Sequence, residues 1–81
     1  MIHMNAAQCK MARAALGLGV RDLANQAAVS TQTVTRFERG EALKATTVER
    51  LQAALEAAGI EFIPENGGGA GVRFRKPSAP E

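Results

Sequence analysis

The chain has 81 residues, 46% hydrophobic and 22% charged, with no Trp or Tyr and a formal net charge of +2. That length fits one small domain with a core of Ala, Leu and Val, and a chain this short buries only roughly 60% of its unfolded surface, so a second copy would supply useful extra burial. No apolar run approaches the roughly 20 residues that cross a bilayer, and no basic segment leads into an apolar one near Met1, so a cytoplasmic protein away from the membrane is expected.

Helix starts show as side chains that accept hydrogen bonds from the free amides of a first turn, with Glu or Gln three residues on reaching back. Asn5 with Gln8 forms such a capping box, Met4 and Cys9 stand at staple positions, and Cys9, Ala12 and Leu16 follow helical spacing up to Gly17. A second helix is predicted from about Val20 to Ala28, with Val20, Leu23, Ala24 and Ala27 on one face and Gly19 as a mediocre cap. Ser30 opens a short third helix; Val29 and Val34 hold its staple positions, Phe37 extends the Val34 face, and Gly40 stops it. Thr46 with Glu49 is read as the cap of a fourth helix, whose Val48, Leu51, Leu55 and Ala58 share a face before Gly59.

Beyond Gly59 the period changes to two. Ile60 and Phe62 alternate with Glu61, Pro64 breaks the run, and Val72 and Phe74 alternate with Arg73 and Arg75, which reads as a β-hairpin. Its Gly-rich loop, residues 65–71, is long enough to expect mobility, and residues 77–81 are expected to fray. A lone hairpin is marginal in water, so Ile60, Phe62, Val72 and Phe74 must cover the helices or a partner. The chain divides into a helical domain at 1–59 and a hairpin extension at 60–81, mainly α overall.

The link Ala28-Val29-Ser30 suits two short helices crossing steeply, a helix-turn-helix. In that arrangement Leu23, Ala24, Val29, Val34 and Phe37 join the pair to the other helices, which leaves Thr31, Gln32, Thr35, Arg36 and Arg39 facing outward. Gln32 can pair with adenine and Arg36 with guanine, while the threonines offer a hydroxyl or a methyl to a base edge. Charge leans the same way: residues 1–44 carry six basic and three acidic side chains, residues 45–81 four and five. Arg21, Arg39 and Lys44 suit either phosphate contacts or ordinary surface charge.

Leu23-Ala24, Val29-Ser30, Val34 and Phe37-Glu38-Arg39-Gly40 resemble the signature of lambda-repressor-like, XRE-type transcriptional regulators, over about residues 7 to 58. The resemblance implies a four-helix domain in which Thr31, Gln32 and Arg36 read bases and Arg13 pairs with Glu38 to lock the reading helix. Where the family has Ser or Thr followed by Gln for a phosphate, Gly19 and Val20 stand here, so backbone amides and the helix dipole, with Arg21 beside them, would take that contact. Ser30 at the start of the third helix is a further phosphate candidate. Ala28 occupies a turn position usually held by Gly. The segment from Ile60 to Arg73 is similar to a tail on small bacterial members of the family.

Other chemistries fare poorly. The single Cys9 and single His3 supply neither disulfide nor metal site; Cys9 reads as a buried, inert thiol and His3 as frayed terminus. Neither Gly17-Leu18-Gly19 nor Gly67 to Gly71 completes a nucleotide-binding fingerprint, and no acid, base and nucleophile set is present, so no enzyme, cofactor or metal is expected. The expectation is a DNA-binding regulator acting as a homodimer on a two-fold operator, joined through the hairpin or else through the fourth helix. The rival is a protein-binding adaptor, or an antitoxin that also binds DNA.

Overall fold

The computed structural model describes residues 4–75; His3 and residues 77–81, whose fraying was expected, lie outside them. Four helices lead into a two-stranded antiparallel sheet: α1 (Ala6–Leu16), α2 (Val20–Ala27), α3 (Thr31–Glu38), α4 (Ala45–Ala57), β1 (Ile60–Ile63) and β2 (Gly71–Phe74).

Local chemistry sets most of the boundaries. The Asn5 side chain accepts from the Gln8 amide and the Gln8 side chain accepts from the Asn5 amide, both at 2.8 Å, so α1 opens on a complete capping box. Gly17, at φ 69°, takes the left-handed conformation that ends it. The α2–α3 turn places Ala28 at φ 59° and ψ 44°, a left-handed conformation that costs a Cβ-bearing residue about 1 kcal/mol. It persists because the amides of Ala28 and Val29 bond back to the carbonyls of Asn25 and Ala24. Two predicted details of α4 are corrected. Its cap is Lys44, whose extended backbone lets its carbonyl accept from the Thr47 and Val48 amides, so Thr46 lies inside the first turn. Ala58 is an exposed C-cap residue rather than part of the buried face.

The core is one cluster that runs through every helix and into β1. Leu23, Val34, Leu51, Leu55 and Ile60 are fully enclosed, with Phe37 and Phe62 nearly so. The hairpin is therefore packed on the helices as part of the same core. Gln8 fastens it further: its buried amide nitrogen donates to the carbonyls of Ile63 and Gly71, one on each strand, at 3.1 and 3.0 Å. In the Gly-rich loop, the amides of Gly67 and Gly69 donate to Glu65.

Candidate nucleic-acid interface

Helix α3 is pinned from within by charge as well as by apolar contact. Glu38, only 8% exposed, accepts hydrogen bonds from Arg13 Nε and Nη2, each at 2.8 Å. The third arm of the guanidinium, Nη1, donates to the Leu18 carbonyl at 3.1 Å, and the Cys9 thiol donates to Glu38 at 3.2 Å. Burial pushes the Glu38 carboxyl up, but the bonds from Arg13 and Cys9 outweigh it and hold the group below its ordinary value of 4.5. The same hydrogen bond raises the Arg13 pKa. Burial first, then the bond to Glu38, pushes the Cys9 thiol far up, which leaves it un-ionised and unreactive.

With Val34, Phe37 and Glu38 turned inward, the opposite face of α3 carries Thr31, Gln32, Thr35, Arg36 and Arg39, all exposed. These five side chains line one shallow depression of about 260 Å³. Thr35 Oγ1 donates to the Thr31 carbonyl at 3.0 Å, so its hydroxyl proton is engaged while its methyl and lone pairs are not. Gln32, on the same concave surface, has no side-chain hydrogen-bond partner among the described residues. Arg36 Nε donates to Glu41 Oε1 at 2.8 Å and Arg39 Nη2 to Glu41 Oε2 at 3.1 Å. Those bonds, with Arg36 the larger influence, hold the Glu41 carboxyl below the usual range.

The residues expected at phosphates are placed less uniformly. Gly19 does not present a free amide: it donates to Asp22 Oδ2 at 2.9 Å, and that carboxylate opposes an anion at the start of α2. Val20 is the half-buried first residue of α2, and Arg21 beside it is exposed. Ser30 Oγ is engaged in capping α3, accepting from the Thr33 amide at 3.0 Å and sharing a 2.8 Å bond with the Thr33 hydroxyl. Arg39 is shared with Glu41, and Lys44 is exposed where the chain enters α4. Arg21 and Lys44 are thus the expected phosphate residues without an ion pair among the described residues.

The set expected at a dimer interface divides in two. Ile60 and Phe62, at 0% and 5% exposure, lie in the chain's own core, because β1 follows α4 through only Ala58 and Gly59 and packs directly on it. They are therefore not available to a second copy. Val72 is half-buried and Phe74 is 61% exposed, on the outer strand.

Sequence reasoning missed Glu41, Asp22 and the clamping role of Gln8. Asp22 had a usable signal, an acid three residues after a cap position. Glu41 had none in periodicity, because it meets Arg36 only after Gly40, at φ 95°, turns the chain back.

A family model described as a helix-turn-helix domain matches residues 6–62, which takes in all four helices and most of β1. No curated protein matches the chain. No helix among the described residues is long and apolar enough to cross a membrane.

Proposed function

This chain belongs to the helix-turn-helix domain family, and from that premise we propose that it is a sequence-specific, non-catalytic DNA-binding regulator of transcription. The reading extends to a bacterial, cytoplasmic repressor or activator of the lambda-repressor-like, XRE type. The observation that carries it is the outer face of α3, where five polar side chains line one depression while the inner face is clamped through Arg13 and Glu38. An exposed, rigidly backed polar helix face suits insertion into a major groove. Gln32 would take an adenine edge, Arg36 a guanine edge, and Thr31 and Thr35 hydroxyl or methyl contacts. Arg21 and Lys44 would bind flanking phosphates and set register.

One such domain holds few base pairs, so the reading includes a homodimer whose two α3 helices lie about 34 Å apart on a two-fold operator. The outer strand supports this. The Arg75 amide donates to the Gly59 carbonyl, which makes the adjacent Ile60–Phe74 and Phe62–Val72 pairs the non-hydrogen-bonded ones. The backbone groups of Val72 and Phe74 therefore point away from β1, toward an edge that a second β2 can extend. Phe74, more exposed than Met11, the other large apolar side chain at the surface among the described residues, stands on that edge. Light scattering should give a dimer for the wild type and a monomer for Phe74→Lys; a wild-type monomer instead favours a different protein partner at the hairpin.

The function itself is tested by fluorescence anisotropy on the DNA upstream of the coding sequence, over a salt series. Preference over a scrambled duplex, with affinity falling steeply with salt, is expected. Equal binding to both duplexes would contradict the reading.

A further inference from the structure

Glu41 is out of place on a surface meant for nucleic acid. A carboxylate at the rim of the α3 depression repels phosphate and lowers affinity for any duplex. Exposed ion pairs of this kind add little to fold stability, so stability does not account for it. Its position is set by the turn that follows α3. Gly40, at φ 95°, turns the chain back at the end of α3, and the Glu41 amide donates to the carbonyl of Arg36 at 3.1 Å. Glu41 is thus attached to Arg36 twice, through that backbone bond and through the 2.8 Å bond from Arg36 Nε to its carboxylate.

The atom it holds is informative. A guanidinium has five N–H groups, and pairing with guanine O6 and N7 needs only two of them. Holding Nε leaves both Nη groups of Arg36 for a base edge, and among the described residues neither has a partner. Arg39, the other cation at this rim, is drawn to the second oxygen of the same carboxylate. We infer that Glu41 is the specificity-determining residue of this face: it tethers Arg36 at Nε, so that the two Nη groups are presented to one guanine, and it discourages unselective phosphate binding. The inference rests on the reading of α3 as the base-reading helix. Its chemical consequence is a trade, with weaker binding to DNA in general and sharper preference for guanine at one position.

The test compares wild type, Glu41→Ala, Glu41→Gln and Arg36→Ala by anisotropy. The probes are a duplex selected by the wild type from a random-sequence pool, the same duplex with each G·C pair changed in turn to A·T, and a scrambled duplex. Arg36→Ala identifies the guanine that Arg36 reads. At that position Glu41→Ala should lose roughly tenfold in preference, while it binds the scrambled duplex more tightly, with a salt slope steeper by up to about 1. Glu41→Gln keeps an acceptor for Nε without the charge, so it should show the gain on the scrambled duplex and a smaller loss of preference. Melting temperatures should stay together, which separates positioning from a structural role. If both Glu41 variants keep the full guanine preference at the Arg36-dependent position, the inference is overturned while the reading of α3 stands. If the wild type selects no sequence, or if Arg36→Ala changes preference nowhere, the reading of α3 fails and the inference falls with it.

Discussion

Glu38 and Glu41 lie three residues apart, one closing α3 and the other just beyond the Gly40 turn, and each holds arginine, yet the two clusters act on different links between sequence and function. Glu38 is buried, takes a two-pronged grip from Arg13 and a thiol bond from Cys9, and ties α3 to α1. Glu41 is exposed, shares Arg36 and Arg39, and ties nothing to the core. The same ion-pair chemistry fixes the fold where water is excluded and orients a side chain where water is present. Burial, rather than the pairing itself, decides which.

The largest effect should come from breaking the inner cluster. Glu38→Ala leaves the 22%-exposed Arg13 without its partner beside the core and should cost about 3 kcal/mol. For a domain of this size that lowers the melting temperature by roughly 12 °C or more, seen by circular dichroism. A drop of a degree or two would mean that the pair does not hold α3.

Acid provides a second way to break it. The folded Glu38 pKa lies below 4.5, so its contribution is fully present above that value and is lost as the pH falls through it toward the folded pKa. Glu41 and Glu61 are shifted in the same direction at the surface, so the comparison with Glu38→Gln matters. Urea midpoints of the wild type should fall as the pH drops from about 5 to 3, and less so for Glu38→Gln. Identical pH slopes would assign the acid sensitivity elsewhere.

The outer cluster should respond in the opposite sense. Arg36→Ala should weaken binding to a preferred duplex by about 1–3 kcal/mol and change fold stability by less than about 0.5 kcal/mol. Arg13→Ala should destabilise the fold first, with DNA binding lost only as a consequence. A smaller effect belongs to the turn between α2 and α3. Ala28→Gly relieves the left-handed strain and should raise stability by about 1 kcal/mol, measured by urea denaturation. A loss of stability would show that the unfolded-state entropy of glycine outweighs that relief.

What the sequence discloses and what it hides follow the same division. Asn5 and Gln8, Ser30, Gly17 and Gly40 act on amides and carbonyls within a few residues, so all four helices and the turns between them are legible in the chain. The alternation at 60–62 and 72–74 likewise discloses the hairpin. Thr46 with Glu49 misleads because two threonines follow Lys44 and the first turn begins before either can cap it. Exposure of the outer α3 face follows from Val34 and Phe37 facing inward, so Thr31, Gln32, Thr35 and Arg36 are found from periodicity. The burial of Ile60 and Phe62, the Gln8 clamp and the Glu41 tether depend on how distant segments meet or how a glycine turns the chain, and no local spacing encodes them.

The division of labour on α3 is most directly tested by titrating uniformly 15N-labelled protein with the upstream duplex and following its backbone amides by NMR. The account predicts the largest shifts at Thr31, Gln32, Thr35 and Arg36, with smaller ones at Arg21 and Lys44. The inner α3 amides of Val34 and Phe37 should move less, and β2 should stay nearly still. Shifts concentrated on Val72 to Phe74, with the outer face of α3 unmoved, would contradict it.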